Sequence, residues 1–179
     1  MHSPDTISTA KDHVPLFIRA CYGLPTERTP IWLMRQAGRY MAEYRAIRAK
    51  ADFWEVCHSP DLATEVTMQP INAFGLDASI IFSDLLIPLP HMGFEVKFVS
   101  GMGPVITDPI TKPEDVHKLR PAPMSEVLAC VGQAAQQIVA ELPSSTPLIG
   151  FAGAPFTLAS YLIEGGSSKQ FMKTKAFLH

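Results

Sequence analysis

The sequence has few cysteines, no long apolar run and almost no net charge. Cys21, Cys57 and Cys130 stand far apart among 179 residues. So sparse and odd a set excludes a disulfide framework and fits reduced thiols in a cytosolic protein. No apolar run reaches the length that crosses a bilayer. Met1 to Val14 are polar and lack the apolar centre of a secretory signal. A net charge of −2 leaves no electrostatic footprint for nucleic acid. His2, His13, His58, His91, His117 and His179 show no ligand spacing, and most should be solvated. Cys57 and His58 are adjacent, which is wrong for the usual zinc site, so the pair reads as structural. There is no phosphate loop and no G-x-S-x-G elbow. Gly101-Met102-Gly103 lacks the strand-to-helix context of a dinucleotide site.

What is present is enough apolar content, 47%, to bury a core. Sixteen prolines point to many short elements joined by defined turns. Residues 1–13 read as a mobile leader, and 14–179 as one domain. Leu16–Tyr22 read as a short helix stopped by Gly23 and Pro25. Ile31–Met34, Ala78–Phe82 and Pro147–Phe151 read as short buried strands. Glu43–Ala51 read as an exposed helix. Ser59-Pro60-Asp61 opens another helix, with Leu62, Val66 and Ala73 on one face and a kink expected at Pro70. Phe94–Val99 read as a strand and Gly101–Pro104 as a turn. Met124–Leu142 carry Val127, Cys130, Val131, Ala134, Ile138 and Leu142 at helical spacing. A helix after Gly153-Ala154-Pro155 should reach about Ile163, capped by Gly165-Gly166. Lys169–Leu178 begin a further helix. Uninterrupted apolar strands alternating with helices indicate a parallel sheet covered on both faces, either doubly wound or a (β/α) barrel. A barrel typically needs about 250 residues. Three βα units make only part of one.

Each buried strand ends in a polar or small-residue cluster. The carboxyl ends of parallel strands are where such folds bind ligands, so the clusters are expected to share one pocket. The first cluster is Arg35-Gln36-Ala37-Gly38-Arg39. Small residues between two guanidiniums let backbone approach a ligand that carries several carboxylates or phosphates. The alternative is an ordinary pair of solvated arginines. The second cluster is Ser83-Asp84, where Asp84 either serves a site or caps the following helix. The third is Gly153-Ala154-Pro155, followed by Tyr161, whose hydroxyl would otherwise find a local partner.

Pro30-Ile-Trp-Leu-Met-Arg-Gln-Ala-Gly-Arg-Tyr40, Ile80-Ile-Phe-Ser-Asp84 and Gly150-Phe-Ala-Gly-Ala-Pro-Phe-Thr-Leu158 occur in that order. The third motif runs on to Tyr161 and Glu164-Gly-Gly166. Together they resemble the signatures of the uroporphyrinogen decarboxylase family, from about Val14 onward. The resemblance implies the N-terminal part of a (β/α)8 TIM barrel and a homodimer in the cytoplasm. It implies a carboxy-lyase of haem and chlorophyll biosynthesis that uses no cofactor and no metal. The family's chains are about twice as long. Their C-terminal half supplies a substrate-contacting histidine and a hydroxyl residue, so a truncated and inactive chain is expected. By the same resemblance, Arg35 and Arg39 match carboxylate-binding arginines, and Gln36, Ala37 and Gly38 match backbone that touches substrate. Asp84 matches the aspartate that accepts the central pyrrole N–H groups. Arg35 is a candidate to orient the departing carboxylate and donate a proton. Tyr161 matches a substrate-contacting tyrosine that positions Asp84. The runners-up are a corrinoid or thiol methyltransferase of the same superfamily, whose zinc-binding His-x-Cys pair is not found, and a non-catalytic barrel fragment.

Overall fold

The computed structural model describes residues 14–99 and 101–178. The leader expected over 1–13, with His2, His13 and His179, lies outside them. In chain order the helices are α1 (Leu16–Cys21), α2 (Ala42–Arg48), α3 (Phe53–His58), α4 (Pro60–Phe74), α5 (Pro88–His91), α6 (Met124–Val127), α7 (Ala129–Glu141), α8 (Pro155–Glu164) and α9 (Met172–Phe177). The strands are β1 (Ser79–Ile80), β2 (Val96–Val99), β3 (Gly103–Ile106) and β4 (Leu148–Ile149). The protein is an α/β fold in two compact units. The first is made of the chain up to residue 51, 60–82 and 133–150; the second is made of 52–59, 83–132 and the chain from 151.

The first unit is centred on a parallel pair, β1 with β4, in the register Ser79 to Leu148 and Ile80 to Ile149. The backbone N–H of Ser79 donates to Pro147 and that of Ile81 to Ile149. α4 packs on β1 and α2 packs on α4. Proline in the first turn of α4 costs nothing, because that N–H has no helical partner. The helix runs on through Pro70, which is buried, as are Val66, Met68 and Ile71. Ala73, expected on the same face, is exposed. α2 turns Tyr44 and Ile47 inward, so it is half-buried where an exposed helix was expected. The bulk of α7 buries Ala134 and Ile138. It is tied to α4 by Gln137, whose amide accepts from Thr64 at 2.8 Å and donates to Asp61 at 2.9 Å.

Ile31–Met34 are not a buried strand. Ile31, Leu33 and Met34 are exposed, and the segment makes one strand-like contact, the N–H of Asp77 donating to the carbonyl of Ile31 at 2.8 Å. Apolar residues form a buried strand only where neighbours supply the remaining hydrogen bonds and cover both faces. No other described segment pairs with this one. The other two expected strands shorten to two residues each, and β4 is only half-buried. The long helix expected over 124–142 breaks at Leu128 into α6 and α7.

The second unit buries Leu86, Leu89, Phe94, Val96, Ile106, Ile110, Leu162 and Ile163 as one cluster. Its sheet is an antiparallel hairpin, β2 with β3. The expected turn over 101–104 is shorter, since Gly103 and Pro104 already belong to β3. α8 ends on Gly165 at φ 81°, a left-handed conformation that only glycine adopts cheaply. The carbonyl of Gly165 accepts the N–H of Ile106 at 3.0 Å, which ties the helix end to β3. α9 begins at Met172, three residues later than its sequence suggests. No described helix is long and apolar enough to cross a membrane.

Candidate active site

The loop from Arg35 to Tyr40 belongs to the first unit, and its geometry is set by three side chains. Gln36 is buried. Its amide nitrogen donates to the carbonyl of Ala78 at 2.6 Å, and its amide oxygen accepts the N–H of Ile80 at 2.9 Å. Those are the two groups that a parallel neighbour would satisfy around Ser79. A side chain therefore stands in for a strand on the edge of β1 that β4 leaves open. Tyr40 donates its hydroxyl to the carbonyl of Gln36. Arg45 donates to the carbonyls of Arg39 at 2.8 Å and Tyr40 at 3.1 Å. A Cβ on Gly38 would lie 3.1 Å from the Tyr40 ring, so glycine lets the tyrosine fold back over the loop.

Upstream, Arg28 and Asp77 form a bidentate pair with both contacts at 2.6 Å, and Asp77 also accepts the N–H of Ile31 at 2.7 Å. The Arg28 guanidinium holds the Asp77 carboxyl below the ordinary carboxylate range. This anchors the start of the segment that leads into the loop.

Arg35 and Arg39 themselves are exposed, and neither bonds to any described residue. Structural arginines of this fold are engaged: Arg19 pairs with Glu27, Arg28 with Asp77, and Arg45 with two carbonyls. Among the described residues, the side chains of Arg35 and Arg39 hold no partner. Gln36, by contrast, is spent in holding the loop: its amide bonds to Ala78 and Ile80, and its carbonyl accepts the Tyr40 hydroxyl.

Asp84 and Tyr161 belong to the second unit. Asp84 accepts the N–H of Leu86 at 2.8 Å, a turn two residues on. The helix that follows, α5, has Ile87 at its N-cap, so Asp84 closes a turn and does not cap that helix. Burial pushes its carboxyl up, and the Leu86 hydrogen bond partly opposes the shift. No cation pairs with it among the described residues. Tyr161 packs on the apolar cluster of this unit and lines a cavity of about 300 Å³ together with Leu85, Phe156 and Phe171. Its hydroxyl bonds to no described residue. Glu164, the last residue of α8, accepts the N–H and hydroxyl of Thr174 at 2.8 and 2.9 Å, holding α9 to α8. Among the described residues no three His, Cys, Asp or Glu side chains gather as a metal site. Sequence reasoning missed Tyr40 and Arg45. The only signal was their position just after the arginine motif.

The profile of the family described as uroporphyrinogen decarboxylase matches residues 13–179. The chain belongs to that family. A uroporphyrinogen decarboxylase from Chloroflexus aurantiacus is 53% identical over 163 residues, covering 91% of this chain and 46% of its own length. One from Salinispora tropica is 50% identical, with 91% and 43% covered. The chain thus spans a little under half the length of these family members. A solved methyltransferase from Methanosarcina mazei superposes with a TM-score of 0.65 at 20% identity, over 83% of this chain and 45% of that one. At that identity the likeness is one of fold.

Proposed function

We propose that this chain supplies the first part of a uroporphyrinogen decarboxylase: a (β/α)8 barrel that removes carbon dioxide from the four acetate side chains of uroporphyrinogen III, giving coproporphyrinogen III. The observation that carries this reading is the pair of unpartnered guanidiniums, Arg35 and Arg39, on a loop whose conformation other side chains maintain. A substrate with eight carboxylates calls for such a cationic rim.

Losing carbon dioxide from a pyrrole acetate needs an electron sink. Protonating the pyrrole ring provides it. The ring becomes cationic, the carbon–carbon bond to the carboxylate breaks, and its electron pair returns to the ring. A second proton then completes the methyl group, and the ring gives up the first proton and regains its aromaticity, so one proton is consumed for each carbon dioxide released. Asp84 suits the cationic stage. Its carboxyl is partly desolvated and has no cation beside it, so a developing positive charge would supply the missing counter-ion. Arg35 orients the departing carboxylate and is the proposed proton donor. Arg39 holds a further carboxylate, the backbone of Gln36, Ala37 and Gly38 lies against the substrate, and Tyr161 contacts the macrocycle. No cofactor is required, since the substrate ring accepts the electrons. The remaining groups come from the length that the family members have beyond this match, so the 179 residues alone are proposed to be inactive. Homodimer formation, a cytoplasmic setting and a place in haem or chlorophyll synthesis follow from the family resemblance.

The test is a hybrid in which this chain replaces the matching part of the Chloroflexus aurantiacus relative. Anaerobic incubation with uroporphyrinogen III should yield coproporphyrinogen III, while the 179-residue chain alone should not. A hybrid that unfolds cooperatively yet leaves uroporphyrinogen untouched sinks the proposal.

A further inference from the structure

Phe171 breaks three local rules at once. It has φ 52° and ψ 43°, and among the described residues it is the one non-glycine at positive φ. A bulky side chain is strained there. It holds the N-cap of α9, where Ser, Thr, Asp or Asn would bond a free N–H, and its side chain makes no such bond. The residue is 43% exposed, so burial offsets little of the strain. The position is nonetheless held from both sides. The N–H of Phe171 donates to the Ser168 hydroxyl at 3.0 Å, and its carbonyl accepts the N–H of Lys175 at 2.9 Å. Strain that the surroundings maintain without a return in packing clusters at sites of function.

The ring lines the 300 Å³ cavity that Tyr161 also lines. Phe156, another exposed aromatic at 62%, lines it too, as does Leu85, the residue after Asp84. The cavity thus includes one candidate site residue of this unit, Tyr161, and the chain neighbour of the other. Its volume is at the low end of the range for whole small-molecule sites, about 300–1,000 Å³. It is large enough for a single five-membered ring with its substituents and too small for a macrocycle.

We propose that Phe171, with Phe156, forms the aromatic wall of a subsite that receives one pyrrole ring of the substrate beside Tyr161. The inference rests on the tetrapyrrole reading above. An electron-rich pyrrole meets a phenyl edge favourably, because the ring edge carries positive charge and the pyrrole face negative charge.

The experiment uses the hybrid of this chain with the remainder of the Chloroflexus aurantiacus relative and uroporphyrin I, the stable oxidised octacarboxylate, followed by porphyrin fluorescence. Phe171→Asn removes the ring and relieves the backbone, since asparagine tolerates the left-handed region. Its Tm should stay level or rise while Kd increases about tenfold. Phe171→Tyr should bind like the parent. Phe171→Gly repeats the test with full backbone relief. A Phe171→Asn variant with a lowered Tm, unchanged Kd or loss of a dimer in place of porphyrin affinity overturns the inference, because the ring then serves the fold or a protein contact. A parent that binds no uroporphyrin removes the tetrapyrrole reading as well, whereas a parent and variant that bind equally remove this inference alone.

Discussion

The amide oxygen of Gln36 accepts the backbone N–H of Ile80 at 2.9 Å, so a side chain closes the strand edge nearest the arginine loop. Through this bond and its companion to Ala78, Gln36 makes the loop part of the sheet.

Gln36→Leu should therefore act on stability first. It leaves the Ala78 carbonyl and the Ile80 N–H without partners, at about 1–3 kcal/mol for each unsatisfied group. A loss of about 2–4 kcal/mol in urea unfolding is expected. An unchanged midpoint would mean that water or backbone replaces the amide without cost.

Arg35→Lys should leave the unfolding midpoint where it is, because the guanidinium bonds to no described residue. Lysine keeps the charge and loses the bidentate fork. At about 1.5–3 kcal/mol for a charge-assisted bond, kcat/KM of the hybrid should fall roughly ten- to hundredfold. Near-parental kinetics would remove Arg35 from the reaction.

Asp84→Asn separates the turn from the chemistry. Asparagine can still accept the N–H of Leu86, so the turn persists, while decarboxylation should fall steeply. Stability should respond to pH in a definite direction. Burial raises the folded-state pKa of Asp84 above its ordinary value of 3.8. The protonated form is the better-accommodated one, and its contribution is complete below that ordinary value. It is lost as pH rises through the raised pKa. Relative to Asp84→Asn, the parent should lose stability across that window. Parallel stability curves for parent and variant would show that the carboxyl is not desolvated.

Two glycines at positive φ should differ when changed to alanine. At Gly75, φ is 59° and no atom lies within 4 Å of a new Cβ, whereas at Gly166 the Cβ would lie 2.6 Å from the Pro104 carbonyl oxygen. Gly75→Ala should cost about 1 kcal/mol, from backbone strain. Gly166→Ala must also push β3 aside, and roughly 3 kcal/mol is expected. Equal costs in thermal unfolding would show that β3 yields freely.

The parts that sequence made legible are those where local chemistry decides. Pro60 and Pro155 open α4 and α8, and Gly165 ends α8, because each has a backbone reason to be there. The parts it left hidden depend on distant partners. Ile31–Met34 have a strand's composition, but no described segment bonds along them. The first two residues of β3, Gly103 and Pro104, read as part of a turn because they are turn residues, yet β2 pairs along the strand and Gly165 and Gly166, just past α8, bond to its other edge. In the site, the arginine motif and Asp84 stood out by residue type. The work of Gln36 did not, since nothing in its neighbours along the chain announces contacts with residues 78 and 80.

The division of labour in the arginine loop has an evolutionary consequence. Gln36, Tyr40 and Arg45 hold the loop, while Arg35 and Arg39 take no part in holding it. Descendants can exchange the two arginines for residues that suit another anion without disturbing the fold. A lineage that abandons the reaction can likewise keep the loop long after the arginines have drifted. Divergence of activity within this fold is therefore open to single substitutions at two positions, with the scaffold under separate selection.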